Sequence, residues 1–309
     1  MKLDKTRITI RERGLLATMD LALHVCREYF AQLVIALSLA VVPLSLINFA
    51  LLGWMLKAET PDDGAIHPLV TGLEFGEEQA SLLRFLLNLA ALIYLESPLL
   101  SIPIVAFLGP AVFQETRKPG QIIRDVARHW VQLAWTQLIL RGVAPAWIMY
   151  ALIDREVPTE RELGFVALIM LFAAAVRSFR PYTAEIILLE HSPLFSRNPL
   201  IQSLGKRSKL LHDARGDLFG RTLMATQLAR LMTLALLMTW AAGFVILFNE
   251  SLFSPWAVAW LLPLPVWLGG GYLAVVRFLS YLDVRIRNEG WEVELLLKAE
   301  GERLQSRIV

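Results

Sequence analysis

The chain has 309 residues, of which 56% are apolar and 19% charged, with a net charge of +2 and a single cysteine, Cys26. A soluble domain carries roughly 45–50% apolar and about 25% charged residues, and no polar stretch here is long enough to build a soluble core of its own. One cysteine excludes an intramolecular disulfide and any multi-cysteine metal site, and leaves Cys26 as a small apolar side chain on a helix.

The apolar residues collect in runs long enough to cross a hydrocarbon core of about 30 Å at 1.5 Å per residue. The fold class expected is therefore all-α: a polytopic membrane helical bundle of about six transmembrane helices, with amphipathic interfacial helices. Residues 1–309 read as one membrane domain. Residues 1–30 form an amphipathic cytoplasmic N-terminus, 31–282 the six-span bundle and 283–309 a cytoplasmic C-terminal helix. The N-terminal segment is not a cleavable signal peptide, because its first apolar run is too long for one.

In chain order the expected spans are 31–56, 83–113, 131–153, 163–189, 219–248 and 255–282. The second contains Pro98, Pro103 and Pro110, so it reads either as one kinked helix or as a helix plus a re-entrant piece. Five or seven spans are the alternatives. Basic residues orient such a chain, since Lys and Arg stay on the cytoplasmic side. Lys2, Lys5, Arg7, Arg11, Arg13 and Arg27 precede the first span. The next loop, 57–81, holds Lys57 against Glu59, Asp62, Asp63, Glu74, Glu77 and Glu78. Basic and basic-poor segments then alternate to the C-terminus, as expected if both ends lie in the cytoplasm. Trp54, Trp130, Trp147, Trp256 and Tyr281 fall near span ends, as an interfacial aromatic belt requires.

Three cytoplasmic segments repeat a pattern, each an amphipathic helix running into a span. The first has Leu16, Met19, Leu23, Cys26 and Phe30 at three- and four-residue spacing, and the second has Ile123, Val126, Trp130 and Leu133. The third has Leu200, Leu204 and Leu211. Such spacing gathers apolar residues on one helical face. Their basic residues, Arg124, Arg128, Lys206, Arg207 and Lys209, are the candidate contacts to anionic lipid headgroups. An alternative reading is that any cytoplasmic segment before a span tends to this composition.

Two stretches carry a family likeness. One is Arg180-Pro181-Tyr182-Thr183-Ala184-Glu185-Ile186-Ile187-Leu188-Leu189-Glu190, and the other runs from Ser280-Tyr281-Leu282-Asp283-Val284-Arg285 to Leu295. Together with the six-span organisation they resemble a family of bacterial membrane proteins that includes the membrane domain of some glycerophosphodiester phosphodiesterases. The resemblance implies a membrane domain in a bacterial cytoplasmic (inner) membrane and no phosphodiesterase, because no segment holds that enzyme's soluble catalytic barrel.

Chemistry-bearing motifs are sparse. The five histidines, His24, His67, His129, His191 and His212, include no pair at metal-ligand spacing on one helix. Glu77-Glu78 with Arg84 and the S-x-x-K match Ser203–Lys206 read as chance. Neither an enzyme, a metal, a cofactor nor a nucleic-acid partner is expected. The stronger signal is charge inside spans: Glu96, Arg141, Arg177, Arg180, Glu185, Arg230 and Arg277. An ionised group at mid-span costs about 2.5–3.5 kcal/mol on insertion scales, so such groups face partners or a polar cavity. Glu96, Arg141, Arg177, Arg180 and Glu185 form the candidate ligand pocket, with a buried Glu96–Arg pair expected in it; Arg180, Arg230 and Arg277 lie nearer the cytoplasmic side, where long side chains can snorkel. The bland reading of this set is an ion network holding the bundle together. The function expected is a non-enzymatic scaffold or regulatory partner in the cell envelope, in contact with the bilayer and with other membrane proteins. The alternative is a carrier or lipid-handling protein that binds an anionic headgroup or solute in the arginine pocket.

Overall fold

The computed structural model describes residues 14–56, 77–112, 119–143, 159–195, 202–213, 218–248 and 257–289. All the regular structure among them is helical. Helix α1 spans Leu15–Glu28 and α2 Phe30–Leu52, the latter followed by a 3₁₀ turn, Gly53–Leu56. Helix α3 spans Glu77–Val112 and α4 Pro119–Arg128; α5 (Trp130–Leu133) continues as a π-helix over Ala134–Val143. Then come α6 (Thr159–Phe179), α7 (Thr183–Glu190), α8 (Leu204–Asp213) and α9 (Leu218–Phe248). A π-turn at Ala257–Leu261 leads into α10 (Pro263–Glu289).

Among the described residues, four helical stretches are long and apolar enough to cross a bilayer: Phe30–Met55, Arg84–Val112, Phe219–Leu247 and Ala259–Asn288. They suggest a membrane-embedded protein. The stretch on α3 is one continuous helix through all three of its prolines, so no separate re-entrant piece exists. The expected span 163–189 is not one helix. It breaks at Arg180–Tyr182, because Pro181 offers no N–H and disfavours helical backbone at Arg180. The expected span 131–153 is described only to Val143.

Helix α3 is the centre of the bundle. Of its apolar window 56% is buried inside the protein, against 6% for α9 and 11% for α2. Ring contact between Tyr29 and Phe107 (6.0 Å) at one end, and the bond from Asn48 to Glu96 (2.8 Å) toward the other, set α2 antiparallel to α3. Helix α2 also runs antiparallel to α10, with Leu37 beside Gly271 and the Phe49 and Trp260 rings 5.4 Å apart. Helix α9 does the same through Thr233 beside Gly269 and the Arg221–Asp283 pair. The start of α2 and the end of α10 therefore lie at the same end of the bundle.

Gly269, Gly270 and Gly271 admit three different helices. A Cβ on Gly269 would collide with Thr233 of α9; one on Gly270 would lie 2.9 Å from Leu100 of α3, and one on Gly271 3.0 Å from Leu37 of α2. Successive residues on a helix point about 100° apart, so three glycines in a row clear three directions around α10.

The short helices bury only part of the expected stripes. Helix α1 buries Thr18, Met19, Ala22 and Val25 while Leu16, Leu23 and Phe30 stay exposed. In the second segment Leu133 is buried, but Ile123 and Trp130 are exposed. Helix α8 buries Leu204 and Leu211 and exposes Lys206 and Lys209; Leu200 lies outside the described residues. Two of the three proposed units share one elbow. A single residue separates α1 from α2 and α4 from α5, with nearly equal backbone angles at Tyr29 (φ −106°, ψ 26°) and His129 (φ −102°, ψ 11°). The corresponding join before α9 falls outside the described residues.

Overpacking a tight helix contact costs roughly 1–3 kcal/mol. Gly269→Ala is expected to lower the thermal stability of the purified protein by about that amount. A second substitution, Thr233→Ala, is expected to restore part of the loss, and thermal unfolding of the single and double variants checks both.

Candidate functional site

The buried polar groups organise around the break in α6–α7 and the first proline of α3. A proline in a helix leaves the carbonyl four residues earlier without its donor. For Pro98 that carbonyl belongs to Tyr94. Arg177, on the last turn of α6, supplies the missing donor: its Nη1 reaches the Tyr94 carbonyl at 2.7 Å and Ser97 Oγ at 3.1 Å. Its Nη2 reaches the Leu95 carbonyl at 2.5 Å and the Arg141 carbonyl at 2.9 Å. Ser97 Oγ donates to the Tyr94 carbonyl as well, at 2.8 Å. One guanidinium thus binds backbone carbonyls on two helices, α3 and the π-helix. It also stacks 4.7 Å from the Tyr94 ring centre, with Arg230 of α9 at 4.5 Å from the same ring. The ring holds two cations through its π face.

Arg141 is 5% exposed and donates from Nη1 to the Pro181 carbonyl at 3.3 Å. Arg277 of α10 donates to the same oxygen at 2.6 Å. Glu185, one turn into α7 and fully buried, is the acid within electrostatic reach of both. Among the described residues, neither Glu185 carboxylate oxygen nor Arg141 Nη2 has a hydrogen-bond partner. Gln137 pins the start of α7 from the π-helix, donating to Thr183 Oγ1 at 2.7 Å.

The expected pocket is thus only partly assembled. Arg141, Arg177 and Glu185 do meet around the Pro181 break. Arg180 is exposed, though within electrostatic reach of Arg141. Glu96 pairs with Asn48 of α2, not with an arginine. The reason is helical phase: residues 94 and 96 differ by about 200° on a helix, so Glu96 faces away from the side on which the Tyr94 ring receives Arg177 and Arg230. Arg230 and Arg277 do not simply point outward; they join the cluster through Tyr94 and Pro181.

A second cluster ties α7, α8 and α10 together at the other end of α7. Arg207 grips Glu190 with two nitrogens, Nε at 2.5 Å and Nη2 at 2.9 Å. Tyr281 donates to Glu190 at 2.5 Å, and Arg285 lies 3.5 Å from the same carboxylate. Asp283 binds Arg221 at 3.3 Å and Arg287 at 3.0 Å. Two expectations fall here. Arg207 is not turned to headgroups, because a buried carboxylate captures it as a bidentate pair. Tyr281 is no interfacial anchor, being fully buried with its hydroxyl on Glu190. Arg124, Arg128, Lys206 and Lys209 remain on the surface. The two stretches that carried the family likeness meet in this cluster.

His129 and His191, far apart in sequence, stack with ring centres 4.9 Å apart. Among the described residues no group of three or more His, Cys, Asp or Glu side chains could hold a metal. Burial pushes the Cys26 thiol up to about 11, so it is held mainly as the thiol at neutral pH.

No family model, no curated protein and no solved structure matches this chain.

Removing Arg177 leaves buried carbonyls unsatisfied, at about 1–3 kcal/mol each. Arg177→Met is therefore expected to destabilise the protein by several kcal/mol. Pro98→Ala returns an N–H to the Tyr94 carbonyl, so the same Arg177→Met change is expected to cost about 1 kcal/mol less in that background. A double-mutant cycle in denaturant-induced unfolding measures the coupling; strict additivity would refute this account of Arg177.

Proposed function

We propose that this chain is a non-enzymatic multi-pass protein of a bacterial cytoplasmic membrane, acting as a scaffold or regulatory partner in the cell envelope. The observation that carries the reading is the engagement of Arg177. Both of its terminal nitrogens bind backbone carbonyls of neighbouring helices, which is what an arginine holding a bundle together does. In this reading the segments 131–153 and 163–189 complete a six-span bundle, with the break at Pro181 inside the fourth span. Both termini lie in the cytoplasm. Helices α1, α4 and α8 sit at the cytoplasmic interface, where Arg124, Arg128, Lys206 and Lys209 meet anionic headgroups. The likeness to the membrane domain of glycerophosphodiester phosphodiesterases agrees with such a role.

A second reading is favoured by one observation. Arg141 Nη2 and both oxygens of Glu185 are buried without partners, and buried polar groups normally find one. A carrier or lipid-handling protein would use Arg141 and Arg277 to hold a phosphate or carboxylate there.

Two measurements separate these ideas. Compartment-specific reporter fusions at Glu77 and Lys206 are expected to report opposite sides of the membrane, and the same side would end the topology. Arg141→Leu tests the site: under the scaffold reading it lowers stability and leaves anionic-lipid binding to vesicles unchanged. Unaltered stability with binding reduced tenfold or more would establish the carrier reading instead.

A further inference from the structure

The apolar surface holds a feature that neither reading uses. Helices α2 and α9 both pack on α10 and leave a groove of about 550 Å³ between them. Its floor is α10 at Gly269, Gly271 and Val275; its walls include Val34 of α2 and Leu236 of α9. Leu23 and Cys26 of α1 close it at the end where α2 begins. The missing Cβ atoms of the glycine run deepen the floor.

The lining asks nothing polar of an occupant. Thr233 donates to the Ala229 carbonyl at 2.7 Å, Thr239 to the Ala235 carbonyl at 2.9 Å, and Tyr272 to the Met19 carbonyl at 3.0 Å. The polar side chains of the groove other than the Cys26 thiol are thus satisfied by backbone. The occupant is a hydrocarbon. A helix with its side chains is about 10–12 Å across, so this volume equals only about one turn of helix, too little to seat a partner span. It lies inside the range of about 300–1,000 Å³ typical of small-molecule sites. The groove is continuous with the outward faces of α2 and α9, whose Ile35, Leu39, Leu234 and Met238 are exposed. That is the surface a bilayer would cover.

We propose that the groove holds one acyl chain of a phospholipid from the leaflet on the α1 side, its phosphate lying against Arg27. Arg27 is exposed and sits in the last turn of α1. It falls four residues after Leu23 on α1, one turn from a side chain that lines the groove. A chain there gains dispersion contacts from several helices, where a lipid on a convex face touches one.

The test is native mass spectrometry of the full chain, released from mild detergent after reconstitution in phosphatidylethanolamine–phosphatidylglycerol nanodiscs. Wild type is expected to retain one phospholipid per chain. Ala235→Trp fills the groove from an exposed position on α9, and should cut the retained fraction at least fivefold. Ile246→Trp, exposed on the same helix and away from the groove, should leave it unchanged. Arg27→Gln should weaken retention about threefold without abolishing it. Should Ala235→Trp fail to fold, wild-type Cys26 serves: delipidation is expected to raise its alkylation by N-ethylmaleimide at least threefold, and added dioleoylphosphatidylglycerol to reverse this. No retained lipid, equal retention in Ala235→Trp and Ile246→Trp, or a second copy of the chain in place of lipid would each overturn the proposal.

Discussion

Three helices reach α10 at three consecutive residues that lack a Cβ. Thr233, Leu100 and Leu37 approach Gly269, Gly270 and Gly271 from different directions, and the relative heights of α2, α3 and α9 follow from those contacts. In lipid there is little hydrophobic drive between helices, so association depends on close packing and on interhelical hydrogen bonds. The glycine run meets the first need for three neighbours at once. From it follow the antiparallel setting of α2 and α9 against α10, the central place of α3, and the open groove where α2 and α9 fail to meet.

The second need is met by backbone carbonyls that proline leaves free. Pro98 frees Tyr94, and Arg177 with Ser97 reclaims it. A proline in α3 and an arginine in α6 thus form one structural device, with a mutual dependence that neither residue type reveals alone. Pro181 works in a related way: it ends α6, and its own carbonyl gathers Arg141 and Arg277. Beyond the break, Glu190 collects Arg207, Tyr281 and Arg285, so α7 is fastened at both ends by side chains from other helices.

Much of the bundle was legible in the sequence. The apolar runs on α2, α3, α9 and α10 give helices of spanning length, and the charged positions within spans do include the clustered ones. What the sequence could not reveal was pairing. Glu96 and Arg177 sit at comparable depth, yet helical phase turns Glu96 to Asn48 on α2. Arg177 has backbone acceptors, which leave no mark in a list of side chains except the proline four residues beyond Tyr94. The break at Arg180–Tyr182 was signalled by Pro181, but the apolar stretches on either side, 163–176 and 186–189, let one span be drawn across it. Tyr281 looks like an interfacial aromatic in sequence, because only the fold brings Glu190 to its hydroxyl.

The unequal burial of the four spanning helices decides where the protein feels its solvent. The stretches on α2 and α9 are 26 and 29 residues long, about 39 and 44 Å of helix against about 30 Å of hydrocarbon. Such a mismatch is relieved by tilting or by local thickening of the bilayer. Helix α3, sheathed by its neighbours, is shielded from that adjustment, whereas α9 presents nearly its whole circumference to it. A thicker or thinner membrane therefore acts first on the angle of α9, and through it on the width of the cleft beside α2, while the α3–α10 pair keeps its register.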